Sequence, residues 1–261
     1  MSSQISKHAI VHPNASIGNN VTIDPFSTIA EDVIIGDGCH IGSSVHIYGG
    51  ARIGKNCKIF PGTVISAIPQ DLKFGGEYST VEIGDNCIVR ECVTINRGTE
   101  YRETTKIGNN VLLMAYVHIA HDCLLGNHVI LANAVNLAGH VEVDDNVIIG
   151  GMSAVHQFCK IGKHAFLSGG SLLAKDVPPF VKGARNPVSY AGVNSVGLKR
   201  RGYSNHQIHT IQDIYRKIFI EDQNITQAIK SIQDEIEDSE EKTIILDFIT
   251  QESDRGIMKG Y

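Results

Sequence analysis

The chain has 261 residues, 42% hydrophobic and 20% charged, with 26 glycines and no tryptophan, a globular rather than a disordered composition. A formal net charge of −5 argues against non-specific nucleic-acid binding. No apolar run approaches the roughly 18 residues that would span a bilayer, and MSSQISKH at the start has no apolar signal region, so a cytoplasmic protein without stable membrane insertion is expected.

From Ile5 an aliphatic residue returns every six positions: of the 29 slots between 5 and 173, 26 hold Ile, Leu or Val, and the exceptions are Asp71, Glu77 and Tyr101. A period of six fits no single amphipathic helix or plain strand and marks a hexapeptide β-helix. The residue four places on is small in most hexads, as at Ala15, Ser27, Cys39 and Ala51. A second period lies above the first, because Ile-Gly-x-Asn or a near variant recurs at 17, 35, 53, 83, 107, 125, 143 and 161. Most of these steps are 18, three hexads or one coil of a triangular prism, and Gly, Asn and Asp tolerate the positive φ of such corners. The steps of 30 and 24 place two excursions from the prism, at about 66–80 and 96–106.

After the last hexads, DVPPF at 176–180 is expected to close the final coil, since proline cannot join a ladder. Ser204 then caps a helix carrying Ile208, Ile211, Tyr215 and Ile218, Asn224 opens a second with Ile229, Ile232 and Ile236, and Thr243–Ile249 forms a third. The expected organisation is mainly β, a parallel β-helix over 1–190, with a small α-helical domain over 191–261 that caps the solenoid.

Five of the six cysteines, Cys39, Cys57, Cys87, Cys123 and Cys159, fall at the small position of the hexad, and there is no Cys-x-x-Cys. They read as packing residues, not as disulfide or zinc ligands. The remaining histidines, among them His12, His40, His46, His128 and His164, are expected on the solvated outer face.

Stacking residues 18 apart puts His121 beneath Gly139 and Gly139 beneath Gln157, with Asp122 beneath His140 and with His118 and His156 close by. His118, His121, Asp122, His140, His156 and Gln157 thus share one strip over three coils. Zinc is the sharpest rival to catalysis here, but His118 and His121 lie roughly 10 Å apart along an extended chain, too far to share an ion without a turn. A histidine near neutral pKa beside an orienting carboxylate suits general-base catalysis, and Gly139 can offer a bare backbone N–H to an oxyanion. The strip holds no activated Ser or Cys, so direct transfer to a bound hydroxyl is favoured, with no metal and no cofactor. Gly151 and Gly169, again 18 apart and flanked by Gly150 and Gly170, read as the Cβ-free floor of a groove, the alternative being corner glycines that need positive φ. Lys160, Lys163 and Arg185 are candidates for a basic docking surface.

QDLK (70–73), VTINRGT (93–99), HIAHDC (118–123), LAGHV (137–141), IIGGMSAVHQF (148–158), DVPPF (176–180) and GLKRRG (197–202) closely resemble, in order, the acyl-carrier-protein–UDP-N-acetylglucosamine O-acyltransferase family of lipid A synthesis. The resemblance implies a left-handed β-helix, a homotrimer with active sites between subunits, and transfer of a 3-hydroxyacyl group from acyl carrier protein to the glucosamine 3-hydroxyl of UDP-N-acetylglucosamine. By position it implies His121 as base, Asp122 as orienter and Gly139 as oxyanion donor. Asp71 and Lys73 would be lent across the subunit boundary, and His118, His140, His156 and Gln157 would line the sugar-nucleotide site. Asn194, Arg200 and Arg201 would hold the nucleotide end. Two departures stand out: Val196 replaces a familiar acidic residue, and Pro187 replaces a familiar histidine beside the acyl end. The later N-acyltransferase of the pathway is the nearest alternative, but it carries a uridine-binding domain ahead of its repeats, whereas hexads here begin at Ile5. A non-enzymatic scaffold would need no polar strip.

Overall fold

In the computed structural model, which describes residues 3–221 and 224–260, the hexads form short strands in three parallel sheets of 11, 9 and 8 strands. The fold is a left-handed parallel β-helix followed by a small helical part. The 18-residue step appears as strand register: Ile23 pairs with Ile41, Ile41 with Ile59, and Leu113 with Leu131. Ile59 pairs with Val89 and Val89 with Leu113, the steps of 30 and 24 that betray the excursions. Strands end at Ala67 and Asn96 and resume at Thr80 and Thr104. Asp71, Glu77 and Tyr101, the three exceptions to the period, all lie on these loops.

Aliphatic residues of the repeat fill the prism, and those from Ile23 to Leu173 are almost fully buried. The five small-position cysteines are buried as expected, and four donate outward from the core: Cys39, Cys57, Cys87 and Cys123 each reach a corner carbonyl of the next coil, as Cys57 Sγ does to Gly84 O at 3.1 Å. Burial pushes Cys123 and Cys159 up to about 12, so neither is an available thiolate.

Corner chemistry is broader than Gly, Asn and Asp. One column of left-handed residues does read Asn20, Asn56, Asn86, Asn110 and Asn146, but another holds Phe26, Ser44, Cys92, Tyr116, Ala134 and Met152, and a third Asp122, His140 and Phe158. Only one corner of the triangle is therefore visible as Gly/Asn/Asp. Cooperative ladders on both sides of each corner hold bulky residues at positive φ despite its cost.

The expectation that Asp176–Phe180 closes the last coil is corrected. Val177 still bridges Ile161, and past the prolines Val181–Ala184 rejoins the ladder beside Phe166 and Leu167 before Ser189–Val193 returns antiparallel. A short helix, α1 (Ser195–Arg200), precedes the helix that Ser204 caps. Three further helices follow, α2 (Asn205–Phe219), α3 (Ile225–Glu235) and α4 (Glu240–Thr250), capped by Ser204, Asn224 and Ser239. Ser204 with Gln207 and Asn224 with Gln227 form reciprocal capping boxes. Tyr215, fully buried on α2, donates its hydroxyl to Pro179 O at 2.6 Å and joins the helices to the end of the prism. The chain then runs back beside the last coils, where buried Asp176 accepts from Lys160 N and Ser253 Oγ.

Candidate active site

Asp122 and His140 stand one above the other at a corner, both with left-handed backbone, and His140 N donates to His121 O at 3.0 Å. His121 Nδ1 lies 2.8 Å from Asp122 Oδ2. The carboxylate is fully buried. Burial alone would raise its pKa, but hydrogen bonds from His121 and Thr99 outweigh that and hold it below its ordinary value. An ionised carboxylate only accepts, so His121 Nδ1 carries a proton, and Nε2 is the ring nitrogen turned away from the carboxylate. Nε2 faces Asp71 Oδ2 at 3.9 Å.

Gly139 is glycine for a local reason. A Cβ there would stand 2.6 Å from His121 Cε1 and 2.7 Å from Nε2, so the imidazole rests on the bare backbone and any side chain would displace it. Among the described residues the Gly139 N–H donates to no protein acceptor, while its carbonyl accepts from Phe158 N at 3.2 Å. This leaves a backbone donor beside a histidine acceptor, the pairing that acyl transfer to a hydroxyl requires.

Two more histidines flank the pair. The His140 ring meets His121 edge-on at 4.9 Å, stacks on Phe158 at 4.3 Å and takes Tyr101 edge-on at 4.6 Å. His118 Nδ1 lies 2.8 Å from Thr94 Oγ1. Burial lowers the pKa of both, helped at His118 by the adjacent His121 and opposed at His140 by the Asp122 charge, so both are neutral hydrogen-bonding groups near pH 7. His156 and Gln157 are exposed on the next coil; His156 Nδ1 meets Gln157 O at 3.3 Å, and Gln157 O accepts from Arg255 Nε at 2.9 Å. The sixfold strip of the sequence reading is thus a tight centre of His118, His121, Asp122 and His140 with two residues beyond it.

Ligand atoms of His121, Asp122 and His140 lie within 4.8 Å of one another, a different set from the His118 and His121 weighed in the sequence. Asp122 already accepts from Thr99 N, Thr99 Oγ and His121, so an ion between His121 and Asp122 would have to break the 2.8 Å hydrogen bond.

Other expected residues fall as follows. Asp71 approaches His121 of its own chain; Lys73 N donates to Asp71 Oδ1 at 2.9 Å and shapes the turn. Asn194 is nine-tenths buried, donates to His164 O and accepts from Gly197 N as the cap of α1. Arg201 is tied to Asn146, whereas Arg200 is exposed. Lys160, expected as a docking residue, reaches Gln251 and Glu252 O of its own chain. His164, expected on the solvated face, is buried against Phe180 and Tyr203. Gly151 and Gly169 do stack, a Cβ on Gly169 lying 3.2 Å from Gly151 O. Positive φ is found at Gly170, not at these two, which removes the corner alternative for them. Pro187 lines a groove of about 540 Å³ with Leu172, Ala174, Val188 and Arg185.

Sequence reasoning missed Thr99, Thr105 and Tyr101 as parts of the centre. Thr105 Oγ accepts from Asp122 N at 2.9 Å. For Thr105 the signal is the 18-residue step back from Asp122, which lands beside it at 104, where the second excursion rejoins the prism.

A family profile described as UDP N-acetylglucosamine O-acyltransferase, domain 2, matches residues 176–258, and bacterial transferase hexapeptide repeats match 14–49, 32–67 and 104–139. The acyl-[acyl-carrier-protein]–UDP-N-acetylglucosamine O-acyltransferase of Sinorhizobium fredii is 44% identical over 198 residues, 76% of this chain and 73% of that protein. The UDP-N-acetylglucosamine acyltransferase from Bacteroides fragilis superposes with a TM-score of 0.96 at 47% identity, covering 97% of this chain and 99% of that one. The enzyme from Francisella novicida gives 0.95 at 38% identity over 98% and 94%.

Proposed function

The chain belongs to the UDP-N-acetylglucosamine O-acyltransferase family, and on that premise we propose that it moves a 3-hydroxyacyl group from acyl carrier protein to the glucosamine 3-hydroxyl of UDP-N-acetylglucosamine, the first step of lipid A synthesis. The observation that carries this reading is the orientation of His121, with Nδ1 held by Asp122 and Nε2 free above Gly139.

His121 Nε2 takes the proton of the sugar hydroxyl as its oxygen attacks the thioester carbonyl. Asp122 stabilises the imidazolium that forms. The carbonyl oxygen gathers negative charge in the tetrahedral intermediate and accepts from the Gly139 N–H. Collapse breaks the C–S bond, and the departing carrier thiolate receives the proton from His121. The products are the sugar ester and the free carrier thiol.

Neutral His118 and His140 suit hydrogen bonds to sugar hydroxyls; Asp71, Lys73, His156 and Gln157 complete the acceptor site. At the nucleotide end Arg200 is the available cation, suited to phosphate, while Asn194 and Arg201 fix the helix that carries it. Gly151, Gly169 and Pro187 form the acyl end, and Lys163 and Arg185 join the carrier dock. The working unit is a cytoplasmic homotrimer, a reading supported by exposed Leu72, Tyr116 and Met152. Among the described residues no helix is long and apolar enough to cross a membrane.

The test is an assay of size-fractionated protein with 3-hydroxyacyl carrier thioesters of graded length. An alkali-labile ester of UDP-N-acetylglucosamine is expected in the fraction of three-chain mass, with Gly169→Met moving the optimum to shorter chains. Transfer only to a free-amine acceptor, giving an alkali-stable amide, would overturn the reading.

A further inference from the structure

The segment Asn96–Glu100 takes no part in the chemistry above, yet it holds both carboxylates that flank His121. On one side it secures the loop bearing Asp71: Asn96 Nδ2 donates to Ile68 O at 3.0 Å, Arg97 N to Ala67 O at 3.1 Å, and Glu100 N to Glu77 Oε1 at 3.0 Å. The Arg97 guanidinium lies over the Phe74 ring at 5.7 Å. Gly98 permits the tight return of the chain, since a Cβ there would stand 2.3 Å from Thr104 N.

On the other side Thr99 grips Asp122. Its N–H donates to Oδ1 at 3.0 Å and its Oγ–H to Oδ2 at 2.6 Å. Thr99 is nine-tenths buried and Asp122 wholly so. Two donors on two oxygens fix the carboxylate plane, as a single donor cannot. Oδ2 is also the oxygen that receives His121 Nδ1–H at 2.8 Å, so the threonine and the base share one acceptor atom. We infer that Thr99 is a positioning residue for acyl transfer, which sets the plane of the Asp122 carboxylate and, by sharing Oδ2, both aims the His121 ring and limits its basicity.

This inference rests on His121 acting as the base. The sharing gives it a signature that mere structural support lacks. Without the Oγ–H, Oδ2 turns its whole charge toward His121 Nδ1–H and favours the imidazolium. The base then loses its proton at higher pH, and the acidic limb of the kcat/KM profile moves up.

Thr99→Val keeps the β-branched shape and the backbone N–H and removes only the hydroxyl. Its kcat is expected to fall about 10- to 100-fold, as misplacement of a reacting group does, with both KM values within about twofold and the acidic limb shifted upward. Thr99→Ser should restore most of the rate and the original limb. Should Thr99→Val not fold, Thr99→Cys, of similar size but a weak donor, is read by the same criteria. An unchanged kcat and limb in a folded variant overturns the inference, as does Thr99→Ser as impaired as Thr99→Val. If instead His121→Ala proves active, it is the base assignment that fails, so the two failures are distinguishable.

Discussion

At two corners of the prism a histidine with left-handed backbone lies flat on a phenylalanine and meets a tyrosine edge-on. His140 stacks on Phe158 at 4.3 Å and 7° and faces Tyr101 at 79°; His164 stacks on Phe180 at 5.6 Å and 13° and faces Tyr203 at 76°. In both, Nδ1 is buried without a hydrogen-bond partner among the described protein atoms. Their surroundings separate them. Around His140 stand His121, Arg102 and the carboxylates of Asp122 and Asp71, and after burial the Asp122 charge is the largest influence, pulling its pKa back up against His121 and Arg102. Around His164 stand Arg201 and Lys163, which add to burial and push it down to about 4, while Nε2 meets Tyr203 Oη at 3.2 Å. The aromatic corner is thus a building device of the fold. The neighbouring charges decide whether it carries chemistry.

The largest effect that tests this contrast is loss of the base. His121→Ala should lower turnover about 10²- to 10⁴-fold while leaving the thermal transition near that of the parent, because the ring lies outside the aliphatic core. A residual rate above about a tenth of the parent's would return the catalytic role to another group at this corner.

Next come the paired truncations Phe180→Ala and Phe158→Ala. Phe180 is fully buried, and its loss should cost about 3–5 kcal/mol in denaturant unfolding with little change in kcat per folded molecule. Phe158 is only partly buried; its truncation should cost less stability but lower kcat, because His140 loses its platform. Equal stability losses with equal kcat would erase the distinction between the corners.

The smallest effect is in pH. In the unfolded chain His164 titrates near 6.5, and in the folded chain near 4. Between those values the unfolded state binds more protons, so stability falls as pH drops through that window and is independent of this group above it. The loss reaches at most about 3 kcal/mol at the acid end. His164→Asn, a residue used at this same corner column in Asn146, should flatten melting temperature against pH between 6.5 and 4. An unaltered slope would place the acid sensitivity elsewhere, with His118 and His140 the next groups to examine.

How much was legible beforehand follows from the same geometry. A solenoid turns sequence separation into spatial neighbourhood, so 18-residue arithmetic alone stacked Asp122 under His140 and His121 under Gly139, and the broken period located both excursions. It also assigned five of the six thiols to the core, since the hexad says which way each residue faces. Periodicity likewise marked α2, α3 and α4, and Ser204 and Asn224 marked where the first two begin, because a cap acts within one turn of its own helix.

The remainder depended on chain that leaves the lattice. Thr99 reaches Asp122, and Asp71 faces His121, through loops whose contacts bear no fixed relation to the period. His164 looked like any outward histidine until Phe180, Tyr203 and the cap at Asn194 closed over it, and the return of Arg255 to Gln157 spans 98 residues. The sequence by itself determined the prism, its register and the central His–Asp–His column, because each follows from hydrogen bonds repeated at a constant step. Only the tertiary structure decided which atoms hold the base in place, because those hydrogen bonds form once, between segments brought together by folding.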